Sequence, residues 1–219
     1  MNDPPFPDSD DRTVLEPACA RCPALAESRT RISWGNGPPE AEVVVIGEAP
    51  GAGDPDADRW AGGNHTGLAY TSRHSGRAIR RLFEAVGVEA YYTNAVKCFP
   101  ADPEDPTTNR EPTSEELANC RPYLETELRE VDPRVAVATG KHATRSVLAL
   151  DGEDVEGFLD AVLEPRRLEA VDATLLPLLH PSYQAVWLSR LGYDRDGYRE
   201  AVAARLADCG VDVDPTGRA

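Results

Sequence analysis

Apolar positions along the chain fall into two periodicities that alternate. Residues 41–46 form a short apolar, largely β-branched run closed by Gly47, which predicts a buried central strand. Ala78, Ile79, Leu82, Phe83 and Val86 then recur at helical spacing within 75–86, and Gly87 ends the pattern. A second strand is predicted over 91–97. Thr113 and Glu116 have capping-box spacing at the head of a helix reaching about residue 130. A third strand over 134–139 is punctuated by Gly140, and a helix over 141–150 follows it. A fourth strand, 174–179, leads into His180-Pro181-Ser182, and helices are expected over 183–191 and 196–209.

Strands alternating with helices predict an α/β fold: three α/β/α layers around a central, mostly parallel, four-stranded sheet. Ligands of such sheets bind beyond the carboxyl ends of the strands. The loop from Gly47, the segment from Asn94 to Cys98, and His180 all fall there. Residues 18–209 are read as one domain, 1–17 as a disordered acidic tail and 210–219 as a flexible tail.

Charge changes the picture next. The 219 residues carry a formal net charge of −15, and Lys97 and Lys141 are the only lysines. A surface rich in Asp and Glu with almost no Lys is expected of a protein working in high salt, as in halophiles. Phosphate binding normally draws on Lys and Arg. At 1 M salt, however, the Debye length is only about 3 Å, so an acidic surface is screened from DNA. No apolar run reaches the ~20 residues of a membrane helix, and the N-terminus lacks the form of a signal peptide. A cytoplasmic protein without membrane contact is expected. Arg77, Arg80 and Arg81 read as a basic helical face, solvated unless it meets phosphates.

Five cysteines remain: Cys19, Cys22, Cys98, Cys120 and Cys209. Cys19 and Cys22 form a CxxC pair, and with Cys98 and Cys120 they offer soft thiolate ligands. By count alone an iron–sulfur cluster, a zinc ion and no metal stay open. Cys209 is expected to be a packed or free thiol.

Gly47-Glu-Ala-Pro-Gly51 after the first strand, Asn94-Ala-Val-Lys-Cys98 at the second and His180-Pro-Ser182 after the last stand in order with Cys19, Cys22 and Cys120. In this the chain resembles the family 4 uracil-DNA glycosylases, the iron–sulfur branch of that superfamily, over about residues 19–191. The resemblance implies a hydrolase of base-excision repair that flips uracil from single- or double-stranded DNA and cuts its N-glycosidic bond. It implies a pocket floor from Gly47, Ala49 and Gly51, with Glu48 beside the sugar and His180 donating to uracil O2. Asn94 would read the uracil edge, and Ser182 with its neighbours would press into the minor groove. Thr66-Gly-Leu-Ala-Tyr70 resembles the family's Thr-Gly-x-Pro-Phe stretch, so Tyr70 would take the place of the stacking Phe. Cys19, Cys22, Cys98 and Cys120 match the family's 4Fe–4S ligands, with zinc as the alternative. The protein would act as a monomer; a sliding-clamp partner is not readable.

The stretch from Gly51 to Thr66 is longer than usual in the family. The family's acidic residue there is most nearly matched by Asp54, with Asp56 and Asp58 as competitors, which leaves selectivity against thymine open. No Arg-Arg-Ile-His insert follows Cys98, unlike the branch that traps DNA covalently. Three rivals stand beside this reading: a non-catalytic DNA-binding member, a glycosylase for another damaged base, and a small iron–sulfur redox protein.

Overall fold

A computed structural model describes residues 3–214. In chain order the elements are β1 (Arg12–Thr13), α1 (Pro23–Ser28), β2 (Gly35–Asn36), β3 (Val43–Gly47), α2 (Gly63–Thr66), α3 (Ser75–Ala85) and β4 (Ala90–Asn94). There follow α4 (Ser114–Val131), β5 (Val135–Thr139), α5 (Lys141–Leu148), α6 (Phe158–Ala161), β6 (Arg166–Leu168), β7 (Ala173–Leu178), α7 (Pro181–Trp187) and α8 (Arg195–Asp208).

The four expected strands are β3, β4, β5 and β7. They pair in parallel in the order β4-β3-β5-β7. The sheet is wider than expected. Antiparallel β1 and β2 extend it beyond β4, and antiparallel β6 beyond β7, making seven strands. Each added strand is two or three residues long, too short for an alternating pattern to register.

Strand residues alternate between two cores, as pleating requires. Val43, Val45, Tyr92, Val137 and Leu176 face Ile79 and Phe83 of α3 and Tyr198, Val202 and Leu206 of α8. Val44, Ile46, Tyr91, Ala136 and Leu175 face Leu124 and Leu128 of α4 and Ala143 and Val147 of α5. This is the three-layer arrangement. The capping box at the head of α4 is formed, with Thr113 and Glu116 each bonding the other's backbone N–H.

Both segments read as tails engage the domain where they are described. Arg12–Thr13 pairs with β2, Phe6 packs edge-on against Trp60, and Asp3 meets Arg77 and Arg81. Val211 is buried against the first core, while 215–219 and residues 1–2 lie outside the described residues. The expected basic face on α3 is therefore not an open one. Arg80 turns inward to Asn36 and to the Tyr70 carbonyl and lies over the Tyr92 ring, while Arg77 and Arg81 share Asp3. Among the described residues no helix is long and apolar enough to cross a membrane.

Candidate active site

The carboxyl ends of β3, β4, β5 and β7 open into one cleft of about 1190 Å³, bordered also by α7 and the N-terminus of α5. Gly47, Glu48, Ala49, Gly51, Tyr70, Asn94, His180 and Ser182 all line it. Asp54 is the predicted pocket residue that the fold does not bring there. It is exposed, as are Asp56 and Asp58, and its carboxylate accepts the backbone N–H of Asp56 in a surface turn.

The tightest part of the cleft is fixed by sheet register. Gly47 and Asn94 are parallel partners at the last rung of β3 and β4. A Cβ on Gly47 would stand 2.4 Å from Asn94 Oδ1 and 3.0 Å from the Tyr70 hydroxyl. Glycine here lets amide and phenol approach the strand end together. Among the described residues no hydrogen bond engages the Asn94 amide, which leaves its donor and acceptor for a ligand. Tyr70 has a left-handed backbone (φ 55°), which is costly for a bulky residue. Arg80 Nε donates to its carbonyl at 3.0 Å, its hydroxyl bonds Thr139 Oγ1 at 2.6 Å, and its ring packs at a tilt on Tyr92.

His180 caps the N-terminus of α7. Its Nδ1 accepts the Ser182 backbone N–H at 3.3 Å. That bond assigns the proton of the neutral ring to Nε2. Burial holds the imidazole pKa below its ordinary value, favouring the neutral form. The site thus offers a neutral Nε2–H donor. Behind it, Gly140 keeps β5 close, since a Cβ there would come within 3.1 Å of His180 Cβ.

Glu48 is half-buried. Burial pushes its carboxyl pKa up, the nearby His142 opposes that, and Glu111 adds to it. His142 and Glu111 face each other at 3.2 Å (Nε2 to Oε1) and line the cleft with Glu48. A carboxylate with a raised pKa at the edge of a cleft is suited to taking a proton from water near neutral pH.

A second grouping lies beyond the end of β4. Cys19, Cys98 and Cys120 are buried together with Trp34, Val96 and Tyr123, and Cys22 packs against them. None of them forms a disulfide, and Cys209 stands apart on the α8 side. Two sulfurs accept side-chain hydrogen bonds: Arg29 Nη1 reaches Cys98 Sγ at 3.3 Å, and Asn119 Nδ2 reaches Cys22 Sγ at 3.4 Å. Burial pushes the Cys120 thiol up to about 11 and raises that of Cys98 as well. Among the described residues no group of three or more His, Cys, Asp or Glu side chains stands ready to hold a metal ion. The donor set and its outer hydrogen bonds nevertheless fit a thiolate-ligated group.

Thr139, Gly140 and His142 were not singled out for the cleft from sequence. A threonine ending a strand carries no mark of its own. The position of His142 at the start of α5, directly after a β5 end, was the one available signal.

Residues 34–207 match the model of the uracil DNA glycosylase superfamily. The chain is 31% identical to the type-5 uracil-DNA glycosylase of Pyrobaculum aerophilum, over 88% of this chain and 89% of that protein. It is 30% identical to the type-4 uracil-DNA glycosylase of Thermotoga maritima, over 75% and 77% of the two. Its similarity to the type-4 uracil-DNA glycosylase of Sulfurisphaera tokodaii, also at 30%, covers 63% of this chain and 56% of that one.

Proposed function

Because the chain belongs to the uracil DNA glycosylase superfamily, we propose that it is a uracil-DNA glycosylase, a hydrolase of base-excision repair that cuts uracil from DNA at the strand-end cleft. The observation that carries this reading is the convergence of an unengaged amide, an aromatic ring and a neutral imidazole donor around one opening, on Asn94, Tyr70 and His180.

The target nucleotide leaves the stack and enters the cleft. The Asn94 amide donates to uracil O4 and accepts from N3–H, an order that cytosine reverses. The Tyr70 ring stacks on the base. As the C1′–N1 bond breaks, its electron pair passes to uracil, and His180 Nε2–H stabilises the growing negative charge at O2. Glu48 orients a water, whose oxygen joins C1′, and takes its proton. Ser182 and its neighbours face the DNA. Tyr183 and Val186 are exposed on α7 beside His180, as befits apolar groups that fill the gap left by the base.

Cys19, Cys22, Cys98 and Cys120 would hold a 4Fe–4S cluster, with zinc as the alternative. When bound, that group supplies a structural crosslink between the N-terminal segment, the end of β4 and α4. The acidic, lysine-poor composition supports work in concentrated salt inside the cell. The test is incubation of the protein with single-stranded uracil oligonucleotide across a KCl series. Alkali-labile abasic sites are expected, persisting at molar salt. Intact strands at every salt concentration would favour a non-catalytic binder.

A further inference from the structure

Behind the Asn94 amide lies a buried ion pair, neither member of which lines the cleft. Lys97 and Glu127 are 1% and 0% exposed. Lys97 Nζ donates to Thr93 Oγ1 at 2.7 Å, to the Asn94 carbonyl at 2.6 Å and to the Glu127 carboxylate. An ammonium has three protons, and all three are used. Glu127 is equally committed: it also accepts from the Thr93 and Tyr91 hydroxyls and from the Gly35 backbone N–H. The network therefore joins β4, β2 and α4 where β4 ends.

Its position matters more than its strength. Asn94 is the last residue of β4, and the chain turns away directly after it. Ala95 and Val96 donate to the carbonyls of Gly47 and Glu48, and the Lys97 carbonyl accepts from Ser33. Lys97 reaches back across that turn and holds Asn94 by its own carbonyl. Every other basic residue but Lys141 is arginine. A planar guanidinium cannot send three tetrahedral donors to Thr93, Asn94 and Glu127 at once.

We propose that Lys97, braced by Glu127, is a positioning residue for base recognition: it fixes the backbone from which the Asn94 amide projects and so sets how well uracil is read. This rests on the reading of Asn94 as the uracil-reading group. Lys97 touches no substrate and acts through Asn94.

The test compares two neutral double variants of the full chain, K97M/E127Q and K97Q/E127Q. Both remove the buried charges, but only the second keeps a side-chain donor at position 97. Inhibition by free uracil, the single-turnover cleavage rate, affinity for abasic DNA and Tm are measured for each. K97M/E127Q is expected to bind free uracil about tenfold more weakly and to cleave more than about tenfold more slowly, as a small misplacement of a reading group would. Its affinity for abasic DNA should stay unchanged. K97Q/E127Q should recover a measurable part of both losses at a similar Tm. Equal behaviour of the two variants, or losses that track Tm alone, would overturn the proposal. If neither double variant folds, Lys97→Arg serves instead. It keeps the charge, and uracil inhibition equal to the unmodified protein would overturn the proposal just as directly. Asn94→Asp, measured in parallel, separates the two ideas. If it leaves uracil inhibition intact, the reading of Asn94 fails; if it abolishes inhibition while the Lys97 variants do not, only the role of Lys97 fails.

Discussion

The strand-end cleft and the cysteine corner lie on either side of the same five-residue segment, Asn94 to Cys98, and they are built in opposite ways. In the cleft, each proposed group hangs from the sheet or from a residue next to it. Gly47 and Asn94 share a rung, Tyr70 bonds Thr139 at the end of β5, and His180 follows β7 by two residues. In the corner, the thiols come from the N-terminal segment, from beyond β4 and from α4, and loops and one helix bring them together. Parallel register, a hydroxyl bond and closeness to a strand end hold the first group. The second depends on segments with little regular structure to hold them. The expectation is that damage to the cleft appears in the rate, and damage to the corner in the stability.

The sharpest separation comes from His180→Ala. Loss of a donor aimed at developing charge should lower the single-turnover rate by about 10²–10³ with abasic-DNA affinity nearly unchanged. Gly47→Ala comes next. The new Cβ would collide with Asn94 Oδ1, and the rate should fall by about a hundredfold while Tm moves little. A Tm loss large enough to explain the rate would remove the distinction between the two regions.

The pH profile is a milder probe of the cleft. Burial lowers the pKa of His180 from its ordinary 6.5 and raises that of Glu48 from 4.5. His180 must be neutral to keep its Nδ1 acceptor and Nε2 donor, and Glu48 must be ionised to take a proton. Both conditions fail as pH falls, so the rate should be flat above neutrality and drop on the acid side, more steeply than one protonation allows. Glu48→Gln should leave a shallower limb set by His180 alone. An acid limb unchanged by that substitution would detach Glu48 from the chemistry.

In the corner, the proposed cluster would be structural, so Cys98→Ala or Cys120→Ala should abolish iron retention and lower Tm, yet leave the rate per folded molecule within about twofold. Iron content, melting and active-site titration on one sample check this. The smallest effect is expected of Tyr70→Phe. It loses only the hydroxyl bond to Thr139, worth about 1 kcal/mol, and keeps the ring. Tyr70→Ala should be far more harmful than Tyr70→Phe, and equal losses would argue against stacking.

What the sequence disclosed follows the same division. The four parallel strands, the flanking helices and the capping box at Thr113 were legible because each is a local pattern of neighbouring residues. Gly47, Asn94 and His180 could be placed at strand ends because motif and predicted strand coincide there, whereas Tyr70 rested on the Thr66–Tyr70 motif alone. Asp54 was misplaced because position in a long loop says nothing about which way the loop turns. The edge strands were missed for their brevity. The Tyr70–Thr139 bond, the inward turn of Arg80 and the Lys97–Glu127 pair join residues 10 to 69 apart, and no local pattern encodes such contacts.

The central claim is that strand ends gather a pocket that selects uracil and cuts it from DNA. The most direct measurement is free base released in a single turnover from matched oligonucleotides carrying uracil, cytosine or thymine at one position. Release of uracil with little or no cytosine is the predicted result, the order of donor and acceptor on Asn94 being what tells the two apart. No free base from any strand, or equal release of uracil and cytosine, would contradict the account.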